Sequence, residues 1–158
     1  MRKSNKKGFT LVELVVVIAI IGILAAILVP TMMNYVKKAR LKTANANAKL
    51  IFTTCNNQAA DLIADGESVT AISNWSGKVD TLGSGALEKA VKQALRDNGG
   101  ETGWATINFN PAIADSATST ENYAIWSASS DGLICGRYPN PVKKVADAGK
   151  DTVGGKWT

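Results

Sequence analysis

One carboxylate near the start of this 158-residue chain carries the most chemical information. Glu13 stands at the leading edge of an apolar run: residues 14–29 read LVVVIAIIGILAAILV, without a polar side chain. An unpaired carboxylate at membrane depth is costly, so Glu13 must be neutralised or paired where it works. Other reactive groups are scarce. The chain has no His, which removes the commonest general base and metal ligand. Cys55 and Cys135 cannot by themselves build a structural zinc site. The sequence has no P-loop, dinucleotide-binding or nucleophile-elbow motif. These absences argue against an enzyme, a metal or an organic cofactor.

Extending the apolar run through Pro30 to Met33 gives about twenty residues, the span of a bilayer's hydrocarbon core. A secretory signal peptide has a similar order of basic and apolar regions. This run is longer than such a region, however, and Glu13 lies within its leading edge. Ahead of it, Arg2, Lys3, Lys6 and Lys7 form a basic leader with no acid. The segment Gly8-Phe9-Thr10-Leu11-Val12-Glu13, behind that leader and before an apolar helix, resembles the processing and assembly motif of type IV pilins and their pseudopilin relatives. Gly22 and Pro30 also fall where helices of that family carry a Gly and a Pro. The resemblance covers residues 1–40.

The resemblance implies an α+β fold: a long N-terminal helix, its first half membrane-spanning, packed on a small antiparallel sheet with one short extra helix. It divides the chain into a leader (1–8), an apolar membrane and filament-core segment (9–33) and a head (34–158). A membrane prepilin peptidase would cut after Gly8 and leave Phe9 as an N-methylated terminus. Glu13 would then meet the Phe9 amine of a neighbouring copy during assembly. Pairing relieves the burial cost of both charges and fixes subunit register. Gly22 and Pro30 would be weak points of the helix. Implied partners are copies of the chain itself, the peptidase, a membrane platform protein with its assembly ATPase, and minor pilins. The leader would lie in the cytoplasm before assembly, and the subunit in an extracellular pilus afterwards. The positive-inside rule supports this orientation only weakly, because Lys37, Lys38, Arg40 and Lys42 place four cations on the other flank.

These groups need elements to position them. Residues 34–64 continue the helix without Gly or Pro, closed by Asp65-Gly66. Leu41, Ala44, Ala48, Ile51, Cys55, Ala59 and Leu62 recur at spacings of three and four and form one stripe. A helix over residues 9–60 would run about 78 Å, too long for so small a domain to wrap. Its first half must be buried elsewhere, in lipid and then in neighbouring subunits. Residues 65–83 read as a connector. Residues 85–97 predict a short amphipathic helix, with Ser84 as N-cap, Leu87, Val91 and Leu95 inward, and Gly99-Gly100 ending it. Strands are predicted at 104–110, 122–129 and 133–138, the last two joined by a hairpin around Asp131-Gly132. The remainder reads as surface loop.

The charge is uneven. The net +5 falls to +1 without the leader, and residues 50–158 carry nine basic and twelve acidic residues. No folded basic face emerges, so nucleic acid is expected as a partner only if the filament serves DNA uptake. Trp126, mid-strand, is expected in the core; Trp75, Trp104 and Trp157 leave open an aromatic platform for sugar rings. Residues 115–120 read as a solvated loop. A disulfide between Cys55 and Cys135 would suit an exported protein, and two buried thiols are the alternative. The wide spacing departs from many Gram-negative members, whose disulfide closes a loop near the C-terminus, and suggests a Gram-positive or otherwise divergent member. The structural-subunit reading is therefore set against a pseudopilin of type II secretion or DNA uptake, and against a pilin-tethered polysaccharide-binding protein.

Overall fold

A computed structural model of the chain describes residues 8–99, 103–111, 122–150 and 154–155. Residues 1–7 of the leader, the polar run 115–120 and Trp157 lie outside the described residues. The elements are α1 (Leu11–Ala64), β1 (Ile72–Lys78), α2 (Ala86–Asp97), β2 (Trp104–Phe109), β3 (Tyr123–Ser127) and β4 (Cys135–Tyr138). Short 3-10 turns lie at Val79–Thr81 and Val145–Asp147. The chain divides into two compact units, Met1–Val36 and Lys37–Thr158.

In the first unit every described residue is exposed, including the whole apolar run. This stretch of α1 is long and apolar enough to cross a membrane. The helix passes through Gly22 and Pro30 without a break. Pro30 cannot donate to the carbonyl one turn back, and beside it the Thr31 hydroxyl donates to Leu28 O at 2.8 Å.

The second unit is the head. Its sheet is a simple antiparallel meander, ordered β1-β2-β3-β4. Strand alternation sends Ala105, Ile107, Phe109, Ala124 and Trp126 to one core, with Ala44, Ala48, Ile51, Cys55 and Ala59 of α1. Leu87, Val91 and Leu95 of α2 belong to the same core, as their four-residue spacing requires. Leu62, expected in the stripe, is only half-buried, while Phe52 is buried and packs edge-on against Phe109 at 6.2 Å. Ile125 and Cys135 form a second, smaller cluster with Trp104, Tyr123 and Val142.

The contact between α1 and β4 is close enough to dictate residue type. A Cβ at Gly136 would fall inside the helix backbone of Ala44 and Asn45. Beside it, Asn45 Oδ1 accepts from the amides of Arg137 and Val142, each at 3.1 Å, and Asn45 Nδ2 donates to Val142 O at 2.7 Å. One side chain thus satisfies three backbone groups of the last strand and the segment after it.

Three expectations need correction. The connector 65–83 contains a strand, β1, whose pairing with β2 is irregular between Ile72 and Trp75; Asn74 there has φ 46°. That bulge breaks the two-residue alternation on which the prediction of strands relied. Gly85, not Ser84, caps α2, and it makes no side-chain cap bond. Residues 128–134 separate β3 from β4, a longer link than a tight hairpin. The Ser129 hydroxyl and the Leu133 amide both donate to Asp131, holding its carboxyl below the usual range.

A fragment beginning at Asn34 is expected to be soluble and cooperatively folded. Within it, Gly136→Ala should lower unfolding free energy by about 2 kcal/mol or more, because backbone must move to admit the methyl group. Asn45→Ala should cost about 2–4 kcal/mol through its three orphaned backbone groups. Urea titration monitored by circular dichroism measures both.

Candidate assembly site

Gly8, Phe9, Thr10 and Glu13 lie together at the start of α1, all exposed. Phe9 is 88% exposed, an apolar ring with no cover. The Glu13 carboxylate accepts from the Thr10 amide and from the Thr10 hydroxyl, each at 2.8 Å. The Thr10 hydroxyl oxygen in turn accepts from the Glu13 amide at 3.3 Å. This reciprocal arrangement is a capping box: the first residue of T-x-x-E caps the helix, and the acid reaches back to the cap's own amide. It satisfies two orphan donors of the helix N-terminus and draws the carboxylate to the positive end of the helix dipole. Thr10 is the participant that sequence reasoning passed over, although Thr-x-x-Glu before an apolar run is a readable signal.

Gly22 and Pro30 sit inside α1, and open space surrounds the Cβ position of Gly22. Cys55 and Cys135 are both buried and lie in separate clusters, joined by no disulfide, which is the second of the two alternatives. The cause is register. Gly136 pairs with Trp126 and faces the helix, so Cys135 alternates to the far face, where its thiol donates to Gly132 O at 3.3 Å. Burial, with a smaller effect from Glu88, pushes the Cys55 thiol up to about 12. Trp126 is buried as expected; Trp75 packs against the larger core and Trp104 against the smaller one. The described tryptophans therefore offer no shared exposed face for a sugar ring.

A family model described as the prokaryotic N-terminal methylation motif matches residues 3–29. The type IV major alpha-pilin of Moraxella bovis is 32% identical over 146 residues, covering 85% of this chain and 92% of that protein. This chain belongs to the type IV pilins. The Neisseria gonorrhoeae type IV major pilin protein PilE1 is 29% identical over 153 residues, 93% of this chain and 80% of its own length. For a Dichelobacter nodosus type IV major fimbrial protein FimA, 32% identity over 105 residues covers 64% of this chain and 61% of the relative. No solved structure matches significantly. As a pilin, the chain is a structural protein of a filament that self-associates, and not an enzyme. The long helix, four-stranded antiparallel sheet and short second helix are those of the pilin fold.

Both thiols are expected to resist alkylation in the native protein and to react fully after denaturation without reductant. The raised Cys55 pKa also gives a sign for pH. The unfolded thiol ionises near pH 8.5–9 while the folded one stays protonated, so the folded state binds more protons above that range. The Cys55 contribution is complete below about pH 8.5 and is lost as pH rises towards 12. Cys55→Ala should flatten that part of the stability profile, measured by urea unfolding at stepped pH.

Proposed function

We propose that this pilin is a filament-forming subunit, cut between Gly8 and Phe9, N-methylated at Phe9, and polymerised through residues 9–33. The observation that carries the reading is the placement of Gly8, Phe9 and Glu13 at the start of a helix whose residues 14–29 are apolar and uncovered. Gly8 offers no side chain to obstruct a protease, and the helix begins three residues later. Cleavage frees an ammonium on Phe9. The Glu13 carboxylate, held by Thr10 in the free subunit, is the complementary charge for that ammonium on a neighbouring copy. Each charge alone in an apolar filament core is costly, so the pair rejects any stagger that leaves them apart.

In this reading the leader stays in the cytoplasm, residues 9–33 cross the membrane, and residues 34–158 stand outside it as the head. The peptidase, a platform protein with its ATPase, and minor pilins act on the chain in turn. The relatives' naming as major pilins and fimbrial proteins supports a pilus over a secretion pseudopilus.

Intact-mass analysis of sheared surface filaments should give a chain lacking residues 1–8 and carrying one added methyl group. A mature start beyond residue 29 would mean an ordinary signal peptide and end this reading. Glu13→Ala should abolish or strongly reduce filament yield while leaving head stability unchanged, since the Glu13 hydrogen bonds run to Thr10, outside the head. Normal yield from that variant would exclude the charge-pairing role.

A further inference from the structure

We propose that the head carries a docking site for anionic phospholipid headgroups, built by Lys38 and Lys42 of α1 together with Lys143 and Lys144. These four lysines line one open cleft of about 340 Å³, together with Leu41, Asn45, Val142 and Val145. A cleft of that size is in the range of small-ligand sites. The two pairs are about a hundred positions apart in sequence, and Asn45 brings them together by clamping both backbone groups of Val142. Among the described residues none of the four lysines takes part in a salt bridge. Lys37 and Arg40 add cations to the same stretch of helix, and residues 14–60 contain no acid. Asp147, in the turn after Val145, is the nearest acid in sequence and subtracts one charge from the set.

Two considerations select lipid as the occupant. The first is chain distance. Lys37 is four residues past Met33, so no conformation can carry it more than about 14 Å from the end of the apolar segment. Lys42, five residues further along α1, adds about 8 Å of helix. The helix lysines of the cluster are therefore tethered within about 22 Å of the end of the apolar segment, about two screening lengths at 0.1 M salt. The second is charge complementarity. A basic flank outside the membrane works against positive-inside orientation, a cost that needs an offset, and phosphate headgroups supply one. Basic residues near an anionic surface each gain about fivefold in association at low salt. A subunit seated in this way keeps its head against the membrane until extraction, and extraction must break these contacts.

The proposal rests on the reading that residues 9–33 span a membrane, and the test separates the two. The mature full-length chain is reconstituted into phosphatidylcholine nanodiscs containing a trace of spin-labelled phosphatidylglycerol or spin-labelled phosphatidylcholine. Electron paramagnetic resonance then reports the fraction of each lipid immobilised by protein. Phosphatidylglycerol should be preferred by about threefold or more at low salt, with the preference falling at high salt. Lys143→Gln with Lys144→Gln, both exposed, should remove at least half of it with an unchanged circular dichroism spectrum. Equal immobilisation of the two lipids overturns the docking site, as does a preference that the double variant leaves intact. Lipid-independent binding of a DNA duplex, lost in the double variant, would assign the cleft to nucleic acid instead. A chain that does not co-migrate with nanodiscs refutes the membrane span itself, and with it the proposal.

Discussion

The apolar surface of residues 14–29 runs around every side of a helix, and every residue of it is exposed. A surface helix of a water-soluble domain is apolar on one stripe; a helix apolar all round belongs in lipid or in a protein core. In α1 both patterns occur on one element. The Leu41–Ala59 stretch has the one-sided stripe and finds its cover in the sheet, whereas the earlier stretch must find its cover in another phase or another molecule. Most other features of the chain answer that division. Glu13 is tolerable at the apolar edge because Thr10 and the helix N-terminus satisfy it.

The head solves the opposite problem, fastening a long helix to a sheet of only four short strands. A small residue allows the approach: Ala44 on the helix meets Gly136 on β4, where no side chain fits. Close approach would strand backbone polar groups, and Asn45 takes up three of them. A similar polar link joins α2 to the helix, where Asn98 Nδ2 donates to Asn47 Oδ1 at 2.9 Å. Polar clamps beside an apolar seam fix rotation and translation of the helix, which dispersion contacts alone leave loosely defined.

What could be read from the sequence followed from how local each signal is. The helix stripe, α2 and the strands β2 to β4 depend on spacing within a few residues and were legible. The N-terminal methylation motif was legible too, since Gly8, Phe9 and Glu13 lie within six positions. β1 was hidden because Asn74 and Gly77 break its alternation, and its pairing with β2 is long-range. The pairing of the cysteines stayed open for a related reason. Whether Cys135 or Gly136 faces the helix is a choice of one residue in register, and only the steric demand at Ala44 settles it. Asn45 gave no local signal at all, because its partners lie more than ninety positions away.

The meander topology also bears on which parts of the chain tolerate substitution. Each strand pairs with its sequence neighbours, so a change in one connecting loop need not disturb any other pairing. At the β2–β3 connection the loop base is closed independently of what lies between. Asn122 is fully buried, its Oδ1 accepts from the Asn110 amide at 2.9 Å, and its Nδ2 donates to Asn110 O at 3.1 Å. The side-chain amide imitates the reciprocal pairing of a strand and continues the ladder by one step. Loop length costs little once the ends are held, because closure entropy grows only logarithmically with length. Substitutions in that loop therefore need not disturb the sheet, whereas α1 is constrained along its length. Its first half must satisfy lipid and filament in turn, and its second half must present Ala44 and Asn45 to a glycine.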